Sequence, residues 1–181
     1  LYVGISSYNS EKTRQAEKIL KELGTPCLIH QPSYNLFNRW VEEDNLLGTL
    51  NDLGIGSIAF TPLAQGMLTN KYLNKIPAKS RANQGKSLDK DKITPELIQA
   101  LNELNDIAAN RGQSLAQMSI AWVLRNGNVT TALIGASKSE QVEDCVGAVK
   151  NLDFNAAELL QIDAIASDQG INLWAKSSEN N

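Results

Sequence analysis

The chain has 181 residues, of which 42% are hydrophobic, 20% charged and 6% aromatic, a composition that supports an ordinary buried core and excludes a disordered, fibrous or repeat protein. Seventeen Lys plus Arg stand against twenty Asp plus Glu, for a formal charge of -3 with no like-charge block, so a nucleic-acid partner is not expected. No apolar run approaches the roughly 18 to 20 residues that span a bilayer and the N-terminus lacks a signal pattern, so the expectation is a cytoplasmic protein without a membrane partner. Two cysteines, Cys27 and Cys145, with the single histidine His30, speak against a zinc cage and a disulfide framework. One domain is the default.

Leu1-Tyr2-Val3-Gly4-Ile5-Ser6 reads as a strand entered at once, with no initiator Met, and suggests a fragment. A polar turn precedes a helix over 11–23, whose face carries Ala16, Ile19, Leu20 and Leu23 and whose end is marked by Gly24. A second strand covers 27–31; a polar loop with Tyr34, Asn35, Leu36, Phe37 and Arg39 leads to a helix running to 53, closed by Gly54. The third strand, 56–60, runs into Thr61-Pro62-Leu63. The stretch 63–91 is irregular, as long loops at functional or mobile places are. Thr94-Pro95 opens a helix with Leu97, Leu101, Leu104 and Ile107 inward, and Ser114 with Gln117 boxes the start of another carrying Met118, Ala121, Trp122 and Leu124. A fourth strand, 130–134, ends in Gly135-Ala136-Ser137; helices over 139–149 and from Asn155 to 166 complete the series.

Short apolar strands alternating with amphipathic helices predict an α/β protein with a parallel sheet under helices. The open dinucleotide fold lacks its GxGxxG fingerprint here. Four strands cannot close a barrel of about 250 residues, so half of a (β/α)8 TIM barrel is the preferred architecture.

In such folds ligands lie at the carboxyl ends of the strands. The residues there are Ser6 and Ser7, His30 and Gln31, Phe60 and Thr61, then Gly135, Ala136 and Ser137. This set is rich in hydroxyls and poor in acids and bases, which describes a binding surface more than a reacting centre. The run Gly135-Ala136-Ser137-Lys138-Ser139-Glu140-Gln141 suits an anionic phosphate at a helix start, and reads equally as an ordinary Ser137/Glu140 capping box. Phe60 is either core filling or a platform for a planar ring. His30 reads as a satisfied interior histidine, Trp122 as core, and Cys145 as a buried apolar residue.

Four segments in order resemble the aldo-keto reductase family over essentially the whole chain, in its C-terminal half. They are Gly4-Ile5-Ser6-Ser7-Tyr8, then His30-Gln31-Pro32-Ser33-Tyr34-Asn35, then Phe60-Thr61-Pro62-Leu63-Ala64-Gln65-Gly66 with Lys71-Tyr72, and Ile134-Gly135-Ala136-Ser137 with Glu140-Gln141. The subgroup that it looks most like holds the bacterial L-glyceraldehyde 3-phosphate reductases and the potassium-channel β-subunits, and Asn172-Leu173-Trp174 points to the former. The resemblance implies NADP(H) across the strand ends and a small-molecule carbonyl substrate, an aldehyde or ketone reduced to an alcohol. It implies Ser6, Ser7 and Gln31 on the carboxamide, with Phe60 stacked on the nicotinamide. Thr61, Pro62, Leu63 and Gln65 would line the pyrophosphate, with Lys71 and Arg81 adding positive charge. Gly135, Ser137, Lys138 and Gln141 would take the 2′-phosphate end.

Asp144-Cys145 stands where the family often has Glu-Asn at the adenine, so one amide is lost there. The family's catalytic Asp, Tyr, Lys and His belong to its first four strands, so no residue of this chain is assigned as catalytic and the chain alone is expected to be inactive. A homo-oligomer is left open. Two other readings stand beside this one: a channel β-subunit-like, nucleotide-sensing accessory protein, and an unrelated phosphate-binding module. The long loop at 63–91 is expected to fold over the cofactor as a lid.

Overall fold

Four parallel strands, each followed on the same side by helix, make one sheet in the order β1-β2-β3-β4. The computed structural model describes residues 1–73 and 93–166. In chain order the elements are β1 (Val3–Ser6), α1 (Ser10–Glu22), β2 (Cys27–Gln31), α2 (Trp40–Glu43), α3 (Leu46–Leu53), β3 (Gly56–Phe60), α4 (Pro95–Asn110), α5 (Leu115–Leu124), β4 (Thr131–Leu133), α6 (Ser139–Val146) and α7 (Ala156–Ile165). Single 3-10 turns lie at Ala64–Gly66 and Gly147–Lys150. The α/β class and parallel sheet agree with the sequence expectation.

Local signals set most boundaries. Asn9 caps α1, Thr94 with Pro95 opens α4, and full capping boxes start α5 (Ser114, Gln117) and α7 (Asn155, Glu158). Gly24 and Gly54 supply the left-handed residues that end α1 and α3. The core lies between one sheet face and the helices: Leu97, Leu101 and Leu104 of α4 meet Leu46 and Leu50 of α3 and Trp122 of α5 in one buried cluster.

Four expectations need correction. The helix expected to run to 53 is two helices. Asn45 adopts a left-handed φ of 55°, and Asp44 turns back to accept the backbone N–H of Ser10 at 2.6 Å, so the break lets one carboxylate cap α1. On α1, Ile19 and Leu23 are 56% and 73% exposed, while Thr13 and Glu17 are buried. The reason is polar: Glu17 accepts the Cys27 N–H at 2.7 Å and pairs with Lys21 at 3.1 Å, fastening the helix to the start of β2. The 34–39 loop is buried, with Tyr34, Leu36 and Phe37 in the main core. Finally, the N-cap of α6 is Lys138, without a side-chain cap, so Ser137 and Glu140 form no capping box.

Register decides which residues share a face. Ile5 pairs with His30, His30 with Ser57, and Ala59 with Ala132, and these face the helices. On the opposite face lie Gly4, Ser6, Ile29, Gln31, Gly56, Ile58, Phe60, Thr131 and Leu133, of which none is buried. Parallel sheets are normally covered on both faces.

Candidate functional site

The carboxyl ends of β1, β2 and β3 bring Ser6, Gln31 and Phe60 to that uncovered face. Ser6 pairs with Gln31 in the sheet, and its hydroxyl donates to the Gln31 carbonyl at 2.8 Å. The Ser7 N–H donates to the same carbonyl at 3.2 Å, with Ser7 in the left-handed region at φ 58°. Both bonds use the backbone of Gln31, a half-buried residue. Phe60 is pinned at both backbone atoms: its N–H donates to Pro32 at 2.9 Å and its carbonyl accepts from Tyr34 at 3.2 Å.

Beyond Phe60 the chain is strained. Thr61, Ala64 and Gln65 have φ values of 56°, 44° and 59°, and Gly66 has 94°. Each non-glycine residue held there costs about 1–3 kcal/mol, and such residues cluster at ligand sites. Pro62 is buried and Leu63 packs against the core. The Gln65 Oε1 is buried and finds no hydrogen-bond partner among the described residues. Gly66 has open space where a Cβ would stand. Lys71 is exposed a few residues on.

A second group follows β4. Both the N–H and the hydroxyl of Ser137 donate to Gln141 Oε1, at 2.8 and 3.2 Å, which folds the loop onto the first turn of α6. Gly135, Ser137 and Lys138 are exposed, and Gly135 has open space around it. Asp144 and Cys145 follow Gln141 on α6. Asp144 accepts the Ser114 hydroxyl at 3.0 and 3.1 Å, under the N-terminus of α5. Cys145 lies in a small cluster with Ile120, Ala121 and Ala148, and burial, with Asp144 beside it, pushes its thiol up. Arg81 lies outside the described residues, as do most of the stretch expected to form a lid and the ending at Asn172-Leu173-Trp174.

His30 is fully buried on the helix side, where its Nε2–H donates to the Tyr8 carbonyl at 3.0 Å. Burial lowers its pKa to about 4, so the ring is neutral and acts in packing. Asn35, Ser33 and Asn38 form a buried polar group behind β3; Ser33 and Asn35 stand in the segment that carries the resemblance, but sequence reading assigned none of the three a role in the site. The signal available was the Asn-rich run between two apolar segments, which reads equally as a turn. Among the described residues no three His, Cys, Asp or Glu side chains group as metal ligands, and no helix is long and apolar enough to cross a membrane.

Comparison with known proteins adds a family. The family model "Aldo/keto reductase family" matches residues 1–167. The chain is 51% identical over 183 residues to the L-glyceraldehyde 3-phosphate reductase of Escherichia coli (strain K12), an alignment that covers 99% of this chain and 53% of that protein. The protein of the same name from Escherichia coli O157:H7 is 50% identical over the same extent. A protein named as a probable voltage-gated potassium channel subunit beta, from Oryza sativa subsp. japonica, is 31% identical over 173 residues, 93% of this chain and 53% of its own length. The chain thus spans about half the length of the curated relatives it matches.

Proposed function

The chain belongs to the aldo/keto reductase family of oxidoreductases, and from that membership we propose that it is the NADP(H)-binding, C-terminal half of a (β/α)8 barrel. The observation that carries this reading is the meeting of Ser6, Gln31 and Phe60 at the carboxyl ends of parallel strands, on the sheet face that none of the described helices covers. A barrel interior is that kind of face, and its ligands bind at that end.

The donor set suits a dinucleotide phosphate. Ser6, Ser7 and Gln31 offer hydroxyls and an amide to a carboxamide, and Phe60 offers a flat face beside them. Thr61, Pro62, Leu63 and Gln65 would line the pyrophosphate, where the open space at Gly66 leaves room for a ligand. Lys71 and Arg81 would add positive charge. Gly135, Ser137, Lys138 and Gln141 would hold the 2′-phosphate, which requires Gln141 to release Ser137. Asp144 and Cys145 would lie at the adenine edge. When bound, NADPH supplies a hydride for a carbonyl carbon. The chain's own residues bind and orient, and none of them is assigned to proton transfer.

In a full-length protein this site would serve reduction of an aldehyde or ketone in the cytoplasm. The relatives' name favours a small phosphorylated aldehyde as its class. The higher identity to the reductase, 51% against 31%, favours this over a channel-type accessory role.

The test is a fluorescence titration of the purified chain with NADPH, with NADH as control. Preferential NADPH binding is expected, and Phe60→Ala is expected to weaken it about fivefold or more, since base–aromatic stacking contributes about 1–3 kcal/mol. A folded chain that ignores millimolar NADPH would overturn the reading. The same chain assayed with glyceraldehyde 3-phosphate and NADPH is expected to show no turnover; a rate near that of a full-length reductase would refute this.

A further inference from the structure

The end of β3 rests on a buried polar layer that the cofactor reading does not use. The Asn38 amide donates to Ser33 Oγ at 3.0 Å, and the Trp40 indole N–H donates to the Ser33 carbonyl at 2.9 Å. Asn35 and Asn38 exchange backbone hydrogen bonds of 3.2 and 3.1 Å, which fixes the backbone that carries both side chains. Asn35, only 4% exposed, then works in two directions. Its Oδ1 accepts the Phe37 N–H at 3.0 Å, a local turn. Its Nδ2 donates to the Thr61 carbonyl at 2.9 Å, across 26 positions of chain.

Thr61 is the β-branched residue held at φ 56°, directly after Phe60. Its carbonyl also takes the Ala64 N–H at 2.9 Å, so it is the hinge of the turn on which the next left-handed residues are built. Backbone in this region persists where its surroundings over-determine it. Asn35 supplies such a constraint from outside the loop, and it comes from a buried side chain bonded at both its oxygen and its nitrogen rather than from solvent-exposed contacts.

We propose that Asn35 is a positioning residue, which holds Thr61 in its left-handed conformation and thereby presents Phe60 and the Thr61-to-Gly66 turn to the nicotinamide and pyrophosphate. This rests on the NADP(H) reading above. Asn35 touches no ligand in this account; it acts through Thr61.

Two variants of the full chain test it. Asn35→Ser keeps a short hydroxyl for the Phe37 N–H and is too short for Thr61. Asn35→Asp keeps the shape and replaces the donor by an acceptor. In the unliganded chain, the Ala64 amide is expected to exchange with solvent roughly five- to tenfold faster in either variant, the size of one lost neutral hydrogen bond, while amides in α4 stay unchanged. NADPH affinity is expected to fall by a similar factor, with affinity for adenosine 2′-monophosphate unchanged, because that fragment carries the 2′-phosphate and no part of the pyrophosphate. Unchanged Ala64 exchange, or equal losses for NADPH and the monophosphate, would overturn the positioning role. An unsubstituted chain that binds no NADPH would overturn the cofactor reading and this one with it. An unsubstituted chain that binds NADPH as the variants do would overturn this one alone.

Discussion

Trp122→Ala is expected to remove about 3–5 kcal/mol of stability, the range for truncating a buried large aromatic side chain. Trp122 is fully buried in the apolar core, yet two cations lie against its ring. The Arg125 guanidinium lies 3.8 Å from the ring centroid and that of Arg39 lies 4.5 Å from it. Tyr34 packs at 5.3 Å, tilted by 44°. Arg125 also donates to Glu42 at 2.6 Å and to the Tyr34 hydroxyl at 3.0 Å, and Arg39 pairs with Asp163 of α7 at 2.6 Å. Burial keeps the Tyr34 phenol protonated far above its ordinary range, so it serves as donor to Glu42. One ring therefore organises charges from α2, α5, α7 and the connection after β2. Alanine would leave a cavity and take the aromatic face from two guanidiniums that keep little contact with water.

A domain is stable by about 5–15 kcal/mol, so this loss is a large part of the whole. Urea unfolding followed by far-UV circular dichroism measures it. Trp122→Phe, which retains a face for both cations, is expected to lose clearly less. A loss under about 1 kcal/mol for the alanine variant would mean that the cluster contributes no net stability, as some buried ionic groups do not.

The second large effect is on pH. The His30 pKa is lowered from 6.5 to about 4, mainly by burial, against the smaller raising influences of the Tyr8 carbonyl and Asp44. Above pH 6.5 the ring is neutral both folded and unfolded, and His30 adds no slope. As pH falls from 6.5 towards 4, the unfolded chain takes up a proton that the native ring refuses, so stability declines. The full loss across that window is about 3 kcal/mol, at 1.36 kcal/mol per pKa unit. His30→Gln keeps a donor for the Tyr8 carbonyl and cannot titrate. At neutral pH it is expected to be the less stable protein, and the gap is expected to close as pH drops to 4. Stability curves that stay parallel over that range would refute the assignment; carboxylates shared by both proteins cancel in the difference.

Helix starts were legible because their physics is local. Ser114 with Gln117, and Asn155 with Glu158, bond across three positions, and Thr94 with Pro95 needs only its neighbours. Alternating apolar strands and helices were enough for the parallel α/β class, and the rule that ligands gather at strand ends was enough to pick Ser6, Gln31 and Phe60. The interior place of His30 was legible from residue type alone, but the ring is satisfied only at Nε2, since its Nδ1 is buried and has no partner among the described residues.

What needed tertiary structure lies in contacts between distant residues, which leave no periodic trace. Asp44 interrupts a helix because its partner is Ser10, 34 positions away. Glu17 is buried because Cys27 offers an N–H, and the apolar pattern that placed Ile19 and Leu23 inward says nothing of such a bond. Asp144 looks like a neighbour of Ser137 along the chain, yet its carboxylate belongs to Ser114, 30 positions back. The same holds for the candidate site: sequence by itself determined which residue types stand at the strand ends. Strand register decided that three of them share one uncovered face, and a single amide from Asn35 reaches the strained turn beside them, because pairing and burial are properties of the folded whole and not of any local window.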